Sequence, residues 1–310
     1  MNTSIKQQMG IREWAMLIIL SIFWGGSFFF NEIAVMELPP LSLVALRVGL
    51  ASICLWLIVF AMKLPIPKTA NTWLAFLGIG LLNNVIPFVL IVWGQTQIAS
   101  GLASILNATT PLFTVVIASL FLVDEKATPL KITGVVVGFL GVVFMIGLPA
   151  LEMEHRFLPQ LAILMASLSY AFAGVYGRRI GVLNINPIVI AAGQVTASTL
   201  VLIPLALWVD GPTHITGLSL ETWLAVIALA ILSTVLGYIL YFKLLTAAGA
   251  TNAVLVTLLV PVSAILLGSL FLGETLQLIH FFGMAMIALG FSAIDGRLWE
   301  KVNLRLQHKY

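Results

Sequence analysis

Residues 101–148 recur some 150 positions later in the same chain, and few folds can accommodate that duplication. Ala103, Pro111, Ser119, Leu120, Phe121 and Leu122 return at an offset of 150 as Ala253, Pro261, Ser269, Leu270, Phe271 and Leu272. One residue is then lost, and Glu125, Gly134 and Gly141 return at an offset of 149 as Glu274, Gly283 and Gly290. A proline, an acid and two glycines kept in register through a gap mark a tandem duplication rather than a chance likeness of apolar runs.

Composition says where the duplication lives. Only 9% of residues are charged and 61% are hydrophobic, with a mean hydropathy of +1.11. A soluble chain carries about 25% charged residues, because water must wet its surface; this chain belongs in lipid. Cys54 is the single cysteine and lies in an apolar run, which leaves neither a disulfide nor a cysteine-based metal site. No cofactor or metal is expected. The basic residues fall between apolar runs rather than in one patch, so no nucleic-acid partner is expected either; the partners implied are the bilayer and a small molecule.

Ten apolar runs are long enough to span a bilayer core, which takes about 20 helical residues each. They lie near 14–35, 41–62, 72–94, 100–122, 128–148, 158–179, 187–209, 220–244, 251–272 and 276–295. Short loops on one side collect Lys6, Arg12, Lys63, Lys68, Lys126, Lys131, Arg178, Arg179, Lys243, Arg297, Lys301, Arg305 and Lys309, which is 13 of the 15 basic residues. Arg156 falls on the other side with Glu37, Glu152, Glu154, Asp210, Glu221 and Glu274, and Arg47 lies within a helix. Positive charge stays in the cytoplasm, so both termini are expected there. The first run is too long for a signal-peptide core and is read as a helix.

The expected fold is an all-α integral membrane protein of ten transmembrane helices, arranged as two five-helix repeats over 14–148 and 158–295. An odd number of helices per repeat sends the second half in from the opposite side. The repeats are then inverted about an axis in the membrane plane, and their exchange of conformations gives alternating access. Duplicated membrane folds of this kind are mostly transporters.

Certain motifs accompany this architecture: Phe23-Trp24-Gly25-Gly26-Ser27 on the first helix, Leu46-Arg47 early in the second, and Phe271-Leu272-Gly273-Glu274 closing the ninth. Together they resemble the drug/metabolite transporter superfamily, and most nearly its ten-helix EamA-like branch of bacterial exporters. Two departures stand out. Val123-Asp124-Glu125 replaces the Gly-Glu ending in the first half, and Gln194 occupies the place equivalent to Arg47. The resemblance implies export of amino acids, metabolites or toxic organic compounds across the inner membrane, with aromatic amino acid exporters among the similar members. It also implies that helices 1, 3, 4, 6, 8 and 9 surround a central cavity.

Polar side chains at bilayer depth are costly and tend to mark a pathway. Asn107, Thr110, Pro111 and Thr114 share one face of helix 4, and the repeat places Thr257 and Pro261 at matching positions on helix 9. Asn83, Asn84 and Pro87 lie on helix 3, Trp24, Phe28 and Asn31 on helix 1, Tyr170 on helix 6, and Thr234, Tyr238 and Tyr241 on helix 8. The substrate-binding candidates are Trp24, Phe28, Asn83, Asn84, Asn107, Tyr170, Tyr238, Tyr241 and Thr257. Amides and phenols bond a carboxylate or an ammonium without adding buried charge, and the aromatic faces can stack on an apolar or cationic ligand. The plainer reading of each is interhelical hydrogen bonding or packing.

Pro87, Pro111 and Pro261 each remove a helical hydrogen bond and are read as hinges that also shape their helices. Glu32 and Arg47 are the charges well inside helices 1 and 2, both placed toward the outer end by helical rise. Either they form a gate or a substrate-carboxylate contact, or they are a structural pair, with Arg47 able to snorkel outward. Gly134, Gly138 and Gly141, with Gly283 and Gly290, have the spacing of close helix packing.

Enzymatic rivals find little support. His155, His214, His280 and His308 lack the HExxH spacing of a zinc protease, so no catalytic residue is assigned. A channel calls for a continuous polar or charged path, which the sequence does not contain. Efflux of hydrophobic or cationic drugs is the alternative to amino acid export.

Overall fold

The computed structural model describes residues 10–122, 128–152, 154–181, 183–212, 217–248, 253 and 256–295, and every regular element among them is helical. In chain order the helical segments are α1 (Ile11–Ala34), α2 (Pro40–Ala61), α3 (Ala70–Gln95), α4 (Ser100–Phe121) and α5 (Pro129–Glu152). They continue as α6 (Glu154–Gly181), α7 (Pro187–Val209), α8 (Leu220–Ala248), α9 (Val256–Phe271) and α10 (Leu278–Asp295). Seven helices are long and apolar enough to cross a bilayer; three further apolar stretches, Pro129–Val142, Leu259–Phe271 and Leu278–Ile294, are shorter among the described residues. Val123-Asp124-Glu125 and the basic residues Lys6, Lys126, Arg297, Lys301, Arg305 and Lys309 lie outside the described residues.

Local chemistry sets the helix ends. Pro40 and Pro187 open α2 and α7, where a missing N–H costs nothing. The Asn186 side chain accepts from the Ile188 amide at 2.9 Å, and Ser219 caps α8 by accepting from the Thr222 amide at 3.2 Å. Gly273, at φ +66°, ends α9 in a conformation that favours glycine. Around 149–157, where the apolar pattern predicts a loop, α5 and α6 are helical through Glu152 and from Glu154. Glutamate favours helix once the chain leaves the lipid, so hydropathy underestimates these ends.

Apolar side chains face outward as well as inward. Ile53, Leu200 and Leu270 are 60, 70 and 74% exposed, as suits a bundle whose outer face meets lipid. With no hydrophobic force between helices in lipid, close packing holds the bundle. A Cβ on Gly25 would stand 2.6 Å from Ser263 Cβ, so α1 seats tightly on α9. One on Gly134 would meet the Gly290 carbonyl at 2.5 Å, and one on Gly141 the Gly283 carbonyl at 2.8 Å, which brings α5 onto α10. Gly138 also backs onto Gly290 of α10 and makes room for Leu112 of α4. The glycine spacing is scaffold.

The packing partners form a pattern. α5 lies on α10 and α2 on α7, while α1 contacts both α9 and α8, and α6 contacts both α4 and α3. α3 and α8 each widen into a π-helical turn near mid-span, at Leu81–Val85 and Leu229–Leu236. A π turn frees carbonyls from the i→i−4 ladder. The Ser169 hydroxyl on α6 donates to the Leu82 carbonyl at 2.7 Å. On the other side of the bundle, the Ser233 hydroxyl on α8 donates to the Phe23 carbonyl of α1 at 2.8 Å.

Candidate functional site

A cavity of about 1220 Å³ occupies the centre of the bundle, with walls drawn from α1, α3, α4, α6, α8 and α9 and smaller contributions from α2 and α7. It reaches the end of the molecule that carries Lys63 and Lys68, where Pro65, Arg178, Asn184 and Asn186 line it. Trp24, Phe28, Asn83, Asn107, Tyr170, Tyr238, Tyr241 and Thr257 lie on its wall, as do Pro111 and Arg47. Trp24 and Tyr241 form one aromatic surface, their ring centroids 5.5 Å apart.

Four candidates lie elsewhere. Asn84 is fully buried behind the wall, where it accepts from the Tyr238 hydroxyl and donates to Ser198 Oγ at 3.2 Å. It holds Tyr238 in place instead of facing the cavity. Pro87 follows the π turn of α3, which absorbs the missing amide. Pro261 stays inside a continuous α9, although its repeat mate Pro111 follows a break in α4 at Ala108-Thr109. The same residue therefore gives one break and one unbroken helix. Glu32 accepts from Gln95 Nε2 at 3.3 Å, outside the cavity wall.

Arg47 corrects the sequence reading most. Counted from Pro40 it belongs near the outer end, yet its Nε donates at 3.0 Å to Thr234 Oγ1, the fifteenth of the 29 residues of α8. Its guanidinium carbon stands 3.8 Å over the Phe88 ring, and the residue is 5% exposed. It neither snorkels nor pairs with Glu32: among the described residues no carboxylate lies within ion-pair distance of it. Helical rise measures the position of the backbone along a helix axis, whereas a long side chain decides where the charge arrives.

Opposite Arg47, the repeat offers Gln194. Asn83 Nδ2 donates to Gln194 Oε1 at 3.3 Å and to the Tyr238 hydroxyl at 3.1 Å. The π turn of α3 thus meets Gln194 of α7, as the π turn of α8 meets Arg47 of α2. Sequence reasoning noted Gln194 only as a departure and missed Phe88, whose apolar side chain carries no signal of its place beneath a cation. Asn31 is 1% exposed and donates through Nδ2 to Gln95 Oε1 at 3.1 Å, while Gln95 Nε2 donates to the Phe28 carbonyl at 2.8 Å.

At the other end, carboxylates tie loops to helix N-termini. Glu274 accepts from the Ser100 and Gly101 amides at 2.8 and 3.0 Å, at the start of α4. Asp210 accepts from the Ser42 amide and hydroxyl, each at 2.8 Å, at the start of α2. Glu37 accepts from the Ser219 amide at 2.9 Å, and this hydrogen bond above all holds its carboxyl below the ordinary carboxylate range. Each places negative charge at the positive end of a helix dipole. The acid of the Phe-Leu-Gly-Glu motif is thus a clasp between α4 and the loop after α9.

A multi-pass helical bundle around a cavity of metabolite size, lined by aromatic rings and amides, defines a membrane transporter rather than an enzyme. The sequence profile of the EamA-like transporter family matches residues 12–147 and again 158–294, and the chain belongs to that family, within the drug/metabolite transporter superfamily. It is 30% identical over 275 residues to the uncharacterized inner membrane transporter YedA of Escherichia coli strain K12, covering 87% of this chain and 86% of that protein. An uncharacterized transporter of Archaeoglobus fulgidus is 26% identical over 285 residues, covering 90% and 97%. One crystal structure, at 18% identity, shares the fold with a TM-score of 0.65 over 91% of this chain and 96% of its own.

Proposed function

We propose that the protein exports neutral amino acids, chiefly bulky or aromatic ones, across the inner membrane by alternating access. Ten spanning helices form two inverted five-helix repeats, 14–148 and 158–295, with both termini cytoplasmic. The observation that carries this reading is the cavity, which lies where repeat-related helices meet and is lined by their paired polar residues. The packing supports the inversion: each contact of α1 with α9 and α8 has its counterpart in α6 with α4 and α3. With the basic end cytoplasmic, the cavity faces inward and the carboxylate clasps seal the outer end.

In this reading Trp24, Phe28, Tyr170 and Tyr241 hold the apolar part of the substrate, and Asn83, Asn107, Tyr238 and Thr257 its polar part. Asn84 supports Tyr238. The break before Pro111 serves as the hinge of α4, with Pro87 and Pro261 shaping their helices. Purified protein in liposomes tests the proposal, with labelled phenylalanine and tryptophan supplied with and without a pH gradient. Saturable uptake with counter-exchange is expected, reduced by Ala at Asn83, Asn107 or Tyr238 in folded protein. A non-saturating flux would make it a channel. Movement of methyl viologen-like cations with no movement of either amino acid would replace amino acid export by drug efflux.

A further inference from the structure

Among the described residues, Arg47 on the cavity wall has no carboxylate within ion-pair distance. Arg47 reaches the cavity wall at mid-span, held at one nitrogen by Thr234 and on one face by Phe88. Those contacts fix the plane of the guanidinium and leave its two terminal nitrogens without a carboxylate among the described residues. A buried charge with no counter-charge is strongly disfavoured, and the geometry that satisfies a guanidinium is a planar pair of oxygens. The cavity wall it shares carries the neutral side chains of Tyr170, Tyr238, Asn83 and Gln194, with Arg178 at the open end.

A second, independent observation concerns Asn31. Gln95 must turn its amide nitrogen toward the Phe28 carbonyl, so its oxygen faces Asn31 Nδ2, and Asn31 Oδ1 is left over. That oxygen is buried without a hydrogen-bond partner on a residue that lines the cavity. Asn107 Oδ1, also on a lining residue, is likewise unpartnered. Buried acceptors of this kind call for an N–H donor.

We propose that Arg47 is the carboxylate anchor of the transport site and that the Asn31 and Asn107 carbonyls accept from the substrate's amino group, so that the cavity selects zwitterions and rejects organic cations. The inference rests on the cavity being the transport site and names what that site reads. An organic cation brought beside Arg47 meets like charge in a poorly screened space, whatever the aromatic rings offer it. A zwitterion supplies the missing anion to Arg47 and the missing donor to the amide oxygens.

The test compares probes that share a phenyl ring: phenylalanine, 3-phenylpropionate without the amino group, phenethylamine without the carboxylate, and methyl viologen. Binding to purified wild-type protein is measured by calorimetry, and counterflow in liposomes. Phenylalanine should bind about tenfold or more tighter than phenethylamine, the difference one charged hydrogen-bonded contact makes, and methyl viologen should not compete. Arg47→Gln should erase the preference for phenylalanine over phenethylamine, while Arg47→Lys keeps part of it. The wild-type series decides the matter even if neither variant folds. Phenethylamine or methyl viologen binding at least as well as phenylalanine refutes the anchor but leaves a transporter with a cationic substrate. Equal binding of 3-phenylpropionate refutes the role of the amide oxygens. Failure of all four probes to bind or move removes the cavity reading on which the anchor depends.

Discussion

Replacing Glu274 by alanine should open the outer end of the molecule. Its carboxylate accepts from two amides in the first turn of α4, at 2.8 and 3.0 Å, and spans from the loop after α9 to do so. Bonds to a charged acceptor contribute about 1.5–3 kcal/mol each when buried. Glu274 is only half-buried, however, and a helix cap in such a position contributes about 1–2 kcal/mol. If the contact exists only while the outer end is closed, losing it raises the population of the outward-open form by about 5- to 30-fold. The assay uses a Cys54→Ala background with one cysteine at Thr110, on the cavity wall. A membrane-impermeant maleimide added from outside should label Glu274→Ala faster by that factor, with Glu274→Gln intermediate because its amide oxygen still accepts. An unchanged labelling rate in a protein of unchanged melting temperature would show that the clasp survives in both states, and the gating argument would fail.

Single cysteines placed in 150–157 or 210–219 should react with the same reagent from outside, whereas those in 63–70 or 124–131 should not; the reverse pattern would sink both the orientation and the inversion. Gly141→Leu should lower the melting temperature and the expression level, because its first side-chain carbon would already stand 2.8 Å from the Gly283 carbonyl and overpacking costs about 1–3 kcal/mol. A well-folded Gly141→Leu protein with altered substrate preference would mean that α5 is part of the site and not scaffold.

The sequence alone determined the class of fold. Unbroken apolar runs of about 20 residues suit helices, which pair every backbone group within the segment, and not barrel strands, which are about half that length and alternate apolar with polar residues. The glycines at 134, 141, 283 and 290 mark close helix packing, because side-chain size is a local property, but only the structure shows that the partners are α5 and α10. Most of the cavity wall was legible for the same reason: a polar residue in an apolar run has nowhere else to go. Tertiary structure alone decided how those residues divide into wall and support. Asn83 and Asn84 are neighbours in sequence, yet the widened π turn sends the first to the cavity and the second behind Tyr238. Counting residues places Arg47 near the outer end, but its long side chain and the partner at Thr234 set the depth of its charge. Glu274 looked like a motif ending a helix, and only the meeting of two distant loops showed that it fastens the start of α4. Such facts depend on where separate helices approach one another, and that geometry is a property of the whole bundle rather than of any one run.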